Sequence, residues 1–98
     1  MLRPFRKPLI VVAPKKLLKL REAGSDIEEF HEGKCFLRVI PENNASIVPS
    51  KVRKVVFCSG QVYYDLIAER EKLKKTDIAI IRLEQLAPFP FKNMIEEV

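Results

Sequence analysis

Two β-branched runs on either side of a helical pattern constrain this chain more than any other feature. Val52-Arg53-Lys54-Val55-Val56-Phe57-Cys58 reads as one strand and Ile78-Ala79-Ile80-Ile81-Arg82 as another. Both are apolar through their middles rather than alternating, the pattern of strands covered on both faces. Between them Ser59-Gly60 makes a turn, and residues 61–74 carry helical spacing. Val62, Leu66, Ile67 and Leu73 are expected on the buried face of that helix. Asp65, Glu69, Glu71, Lys72 and Lys75 are expected on the solvated one, with Glu71 and Lys75 spaced for an i,i+4 pair. Residues 55–81 make up about the ~30 residues of a βαβ crossover, a unit that is right-handed in nearly all proteins.

The rest of the chain extends this pattern. Residues 1–8 hold Pro4, Pro8 and three cations and read as an extended basic arm. Leu9-Ile10-Val11-Val12-Ala13 is a continuous apolar run of strand length. Pro14 then opens a short helix that Gly24 ends, and Ser25 with Glu28 has capping-box spacing for a second helix closed by Gly33. Cys35 to Ile40 is expected to be a strand stopped by Pro41, and residues 42–50 a surface loop. After Arg82, Pro88 and Pro90 fix the exit path and Phe91 starts another helix. The expected architecture is α/β: a mostly parallel four-stranded sheet flanked by helices, in a single domain spanning residues 9–98.

Composition excludes several classes. No apolar run approaches the ~20 residues of a membrane span. The net charge of +5 is local: residues 1–21 carry seven cations and no acid, whereas residues 22–98 are net negative. A targeting peptide is not expected from that basic segment, because its apolar run is short and Pro4, Pro8 and Pro14 interrupt any helix. Cys35 and Cys58 lack Cys-x-x-Cys spacing and His31 is the only histidine, so a zinc site lacks ligands. Both cysteines, flanked by apolar residues, read as reduced core thiols, with a disulfide geometrically open.

Catalytic chemistry is thin. Ser59-Gly60 could present backbone N–H groups to an anion, yet neither G-x-G-x-x-G nor a P-loop is present, and a turn glycine explains the pair. His31 beside Glu32 stands at a helix end, where the dipole alone favours a histidine. Tyr63-Tyr64 reads as packing with one exposed hydroxyl. Arg82 and Glu84 read as an ion pair that fixes the turn. No catalytic constellation and no metal site assembles from these residue types.

Four segments carry a resemblance: Phe5-Arg6-Lys7-Pro8-Leu9-Ile10-Val11, Pro14-Lys15-x-Leu17-Leu18, Phe57-Cys58-Ser59-Gly60-x-Val62-Tyr63-Tyr64-Asp65-Leu66 and Ile81-Arg82-Leu83-Glu84-Gln85-Leu86-Ala87-Pro88-Phe89-Pro90. In order and spacing the chain resembles the C-terminal domain, of transketolase type, of the decarboxylating components of 2-oxoglutarate dehydrogenases, with 2-oxoadipate dehydrogenases as close relatives. Arg38-Val39-Ile40-Pro41-Glu42 leans towards the 2-oxoglutarate branch.

The resemblance implies a thiamine-diphosphate enzyme that decarboxylates a 2-oxo acid and passes the acyl group to the lipoyl arm of a dihydrolipoyl succinyltransferase. The cofactor and its Mg²⁺ would be bound outside this stretch, whose sequence lacks the G-D-G motif. The domain itself would pack a homodimer without catalysing, and it would continue beyond Val98. A mitochondrial matrix setting is implied for a eukaryotic source and a cytoplasmic one for a bacterial source. By position, the resemblance to the actinobacterial branch also implies acetyl-CoA or anion contacts at Lys34, Arg38, Gln85, Lys92 and Asn93. The alternative from charge alone is a free-standing nucleotide- or RNA-binding module that uses the basic arm.

Overall fold

The computed structural model describes residues 3–98, so the first two residues of the expected arm lie outside it. The chain divides into a first unit that ends at Phe36 and a second, Leu37–Val98.

The second unit is a small α/β domain. Its strands are β1 (Val39–Ile40), β2 (Lys54–Cys58) and β3 (Ile78–Leu83), and its helices are α1 (Val62–Lys72) and α2 (Phe91–Glu96). The sheet order is β1-β3-β2. β2 runs parallel to β3 with Val56 opposite Ile80 and Cys58 opposite Arg82. β1 runs antiparallel to β3, with Val39 opposite Leu83 and Ile40 opposite Arg82. The most apolar run takes the centre: Ala79, Ile80 and Ile81 are buried, and Val39 joins them from the edge.

The sheet is therefore three-stranded and mixed, not four-stranded and mostly parallel. Two observations account for the difference. The run at residues 9–13 enters no ladder and is solvent-exposed, with Ile10 91% and Val12 97% accessible. Of residues 35–40 only the last two pair, because β3 ends at Leu83 opposite Val39 and Pro41 has no N–H to carry the ladder further.

The crossover helix forms where its spacing indicates, but on a different stripe. Tyr63, Leu66 and Ile67 are half-buried and Arg70 is buried, whereas Val62 and Leu73 are exposed. Positions 63, 66, 67 and 70 follow the i, i+3, i+4, i+7 rule around a centre that includes a cation. The expected Glu71–Lys75 pair gives way to Lys72 and Glu69, 3.5 Å apart. Lys75 lies past the helix end, where its N–H bonds the Arg70 carbonyl at 3.1 Å and the Lys74 N–H bonds that of Glu71 at 3.0 Å. These two bonds make a Schellman stop with Lys74 left-handed at φ 51°.

In the first unit, 3₁₀ turns replace the expected helices: Leu17–Lys19, Arg21–Ala23 and Ile27–Phe30. The cap is shifted by one residue from Ser25, since the Glu29 carboxylate accepts the Asp26 N–H at 3.0 Å. Cys35 is exposed and Cys58 half-buried, both free, so neither is a fully buried core thiol.

Candidate functional site

Side-chain chemistry in the second unit gathers at three places around β3, and alternation along that strand separates its faces. Arg82 points to the α1 side. Its guanidinium lies 4.7 Å from the centre of the Tyr63 ring and donates to the Tyr64 hydroxyl at 3.2 Å. The expected ion pair forms, with Arg82 Nε 3.5 Å from Glu84, although that buried Nε makes no directed hydrogen bond. Tyr63 meets Tyr64 edge-on at 5.2 Å. Cys58, beside Arg82 in register, points its thiol at the Ile81 carbonyl at 3.8 Å. Burial pushes the Cys58 thiol above its ordinary range, with Arg82 opposing the shift and Glu84 adding to it. Burial likewise raises Tyr63, against the pull of Arg82. Both groups are thereby held protonated at neutral pH, the reverse of an activated nucleophile.

The second place is the edge of β3 that β1 leaves uncovered. Pro41 ends the β1 ladder, and the Glu42 side chain takes over: its carboxylate accepts the Ile80 N–H at 2.9 Å and the Asn44 N–H at 3.0 Å. Arg70 reaches from α1 to the same carboxylate and donates to the Ile78 carbonyl at 3.1 Å. Burial opposes ionisation of Glu42, but the Arg70 guanidinium and the Ile80 and Asn44 amides together hold its carboxyl below the usual carboxylate range. Residue-by-residue reading misses this pair, because Glu42 falls in an expected surface loop and Arg70 on neither expected helix face. The available signal is Arg70 itself, at the i+7 position from Tyr63.

The third place is the turn after β3. The Arg38 carbonyl accepts the N–H groups of Glu84 and Gln85, each at 3.0 Å, which ties the start of β1 to the turn. The Gln85 side-chain amide donates to the Pro88 carbonyl at 2.6 Å across a cis Ala87–Pro88 bond. α2 follows at once, with Lys92 exposed and Asn93 half-buried. Of the five expected anion contacts, Arg38 and Gln85 are thus brought together through their backbones, and Lys92 and Asn93 sit on the helix that leaves the same turn. Lys34 belongs to the first unit, where it lines a groove of about 720 Å³ with Arg3, Arg6, Lys7 and Phe5. On the sheet face opposite α1, Phe57 and the α2 residues Phe91, Met94 and Ile95 line an apolar cavity of about 400 Å³ with Phe89 and Val98.

Among the described residues no three His, Cys, Asp or Glu side chains lie close enough to hold a metal ion. No helix among them is long and apolar enough to cross a membrane. The geometry is that of braces: an edge clasp, a capped arginine and a pinned turn.

Comparison with known proteins places these braces in a family. The family described as 2-oxoglutarate dehydrogenase C-terminal matches residues 24–98. The mitochondrial 2-oxoglutarate dehydrogenase of Caenorhabditis elegans is 49% identical over 96 residues, 96% of this chain and 9% of the relative. The mitochondrial 2-oxoglutarate dehydrogenase-like protein of Xenopus laevis is 50% identical over 98 residues, 98% of this chain and 10% of the relative. The human 2-oxoadipate dehydrogenase complex component E1 is 48% identical over 100 residues, all of this chain and 11% of the relative. The chain thus spans about a tenth of the length of the relatives it matches. With the turn after β3, the crossover and both strands of its parallel pair inside the matched residues, the chain belongs to the 2-oxoglutarate dehydrogenase C-terminal family.

Proposed function

We propose that this chain is the supporting C-terminal portion of a 2-oxo acid dehydrogenase, the component that decarboxylates the oxo acid with thiamine diphosphate. The observation that carries this reading is the near-half identity, along essentially the full chain, to dehydrogenases about ten times its length. Its own residues fit a bracing role: Glu42, Arg70, Arg82 and Gln85 are spent on holding strands, helix and turn together.

Thiamine diphosphate and Mg²⁺ do not fit the described residues, which offer no grouped metal donors and no G-D-G sequence. On this reading the cofactor is held elsewhere in a longer protein. The partners would be the rest of that protein, a second copy of it and a dihydrolipoyl succinyltransferase. The relatives from Caenorhabditis elegans and Xenopus laevis are named as mitochondrial, which supports a mitochondrial setting for a eukaryotic source, with a cytoplasmic one for a bacterial source. Calorimetry and carbon dioxide release from the isolated chain, supplied with thiamine diphosphate, Mg²⁺ and 2-oxoglutarate, test the division of labour. Neither binding heat nor decarboxylation is expected, and turnover by the chain alone would refute it.

The reading extends to an anion site for acetyl-CoA formed by Arg38, Gln85, Lys92 and Asn93 of the second unit. Arg38 and Lys92 are exposed cations suited to phosphates and enter no ion pair among the described residues. Titration of the folded chain with acetyl-CoA checks it, and absence of heat at millimolar ligand ends it. The groove around Arg3, Arg6, Lys7 and Lys34 favours one second reading, polyanion binding by the first unit. Retention on a polyanion column that falls steeply with salt would support that reading.

A further inference from the structure

The N-terminal end of the parallel pair carries charge that the braces do not use. Lys51, Arg53 and Lys54 stand at the start of β2, and Lys74 and Lys75 in the loop from α1 to β3; all five are exposed. The crossover brings them together. α1 returns from the C-terminal end of β2, so its last turn lies beside the start of β3, where Arg70 donates to the Ile78 carbonyl at 3.1 Å. The N–H groups of Arg53 and Lys54 both donate to the Asp77 carbonyl, at 2.9 and 3.3 Å, which pins the start of β2 to the end of that loop. Lys54 projects from the same sheet face as Cys58, four residues on, and Cys58 stands in register with Arg82 on the α1 side. None of the five cations enters an ion pair among the described residues, and like charges held this close repel one another. Two further features belong to this end. Leu73 is 56% exposed beside Lys74. Lys74 itself holds a left-handed conformation, φ 51°, that glycine adopts without strain, so a cation stands where the backbone favours no side chain.

We propose that this end of the second unit is a docking surface for an acidic segment of a partner protein, with the five cations as its charged rim and Leu73 as its apolar contact. Charge complementarity selects the occupant, and the surroundings narrow it. The cavities beside Glu42, Phe57 and Lys34 include none of the five cations in their linings, so the cations form an open surface rather than a small-molecule pocket. A nucleic-acid strand fits less well. Residues 51–54 and 73–78 contain no aromatic ring on which a base could stack. Along α1 the exposed acids Glu71, Glu69 and Asp65 follow, and they repel a phosphate backbone that continues past the cations. A peptide with a few carboxylates in one stretch meets the cations and ends before those acids. Rim charges of this kind steer encounter and set partner choice more than they raise affinity. The surface lies at the opposite end of β3 from the turn that holds Gln85, and it adds a partner contact to the bracing role.

Fluorescence anisotropy of the full chain with a labelled oligo-glutamate peptide carrying one central leucine tests it. Binding is expected, and it should weaken as salt is raised. Lys54→Gln, Lys74→Gln and Lys75→Gln combined should weaken it by roughly 10-fold or more, with the thermal midpoint unchanged or raised. Lys74→Gly separates docking from folding: it should raise the thermal midpoint and still weaken the peptide by about 3-fold. Arg3→Ser, Arg6→Ser and Lys7→Ser combined should leave peptide binding unaltered. Absence of binding at low salt, equal binding by the native chain and the triple glutamine variant, or a loss that follows the triple serine variant instead would each overturn the proposal. Tighter binding of a labelled oligothymidylate, lost in the triple glutamine variant, would overturn it in favour of nucleic acid.

Discussion

Glu42 accepts the backbone N–H of Ile80 at 2.9 Å, at the position along β3 where the ladder begun by β1 would have continued. A side chain does there what a strand backbone does two residues earlier. Arg70 completes the substitution by donating to the Ile78 carbonyl, so one ion pair satisfies two backbone groups on that edge of the central strand. Buried backbone donors and acceptors go unpaired only at a cost, and this pair removes the cost for β3.

Removal of one partner should therefore be expensive. Glu42→Ala leaves Arg70 buried without its carboxylate and the Ile80 amide without an acceptor, and should lower unfolding free energy by about 3 kcal/mol. Arg70→Met, which keeps the stem and removes the charge, should cost less when made together with Glu42→Gln than the two single losses added. Urea unfolding of the single and double variants measures both.

The same carboxylate sets an acid limit. Glu42 is held below its unfolded value, so its ionised form is favoured in the fold. The stability it contributes is fully present above the ordinary carboxylate pKa and is lost as pH falls through the lower folded value. Unfolding midpoints taken across the acid range should fall for the native chain, and Glu42→Gln should flatten that part of the profile. An unchanged acid limb in the variant would assign the effect to other carboxylates.

The end of α1 offers a gain. Lys74 occupies a left-handed position that glycine adopts without steric cost, and its N–H closes the Schellman stop. Lys74→Gly should raise stability by about 0.5–1 kcal/mol, read as an upward shift of the thermal midpoint.

The two thiols should separate in reactivity. Cys35 is exposed, whereas Cys58 is half-buried, faces the Ile81 carbonyl and has its thiol pushed above its ordinary range by burial. A thiol-reactive chromophore at neutral pH should label Cys35 in a fast phase and Cys58 in a slow one. Cys35→Ser should abolish the fast phase alone.

The parallel pair β2 and β3, helix α1 and the start of α2 are legible in the sequence because each declares itself within a few residues. β-branched runs, a 3.6-residue period and a proline-fixed exit are local signals. The mixed sheet is not legible. The direction of β1 depends on where the chain goes after Ile40, and the two observed residues of that strand leave no period to read. The run at residues 9–13 resembles a core strand because composition reports a need for burial without naming the partner that supplies it. Arg70 escapes notice for a related reason: a cation at a core position is explained only by an acid 28 residues away in sequence. The contacts expected from resemblance fare unevenly. Arg38 and Gln85 meet through backbone groups, which any side chain could have allowed, while Lys34 stands in the other unit.

The most direct measurement is the activity of the Caenorhabditis elegans 2-oxoglutarate dehydrogenase carrying this chain in place of its matching segment, assayed with its partner components for 2-oxoglutarate-dependent reduction of NAD. A supporting domain should leave the turnover of the substituted enzyme within a few-fold of that of the unmodified one. A folded substituted enzyme with no turnover would contradict the account.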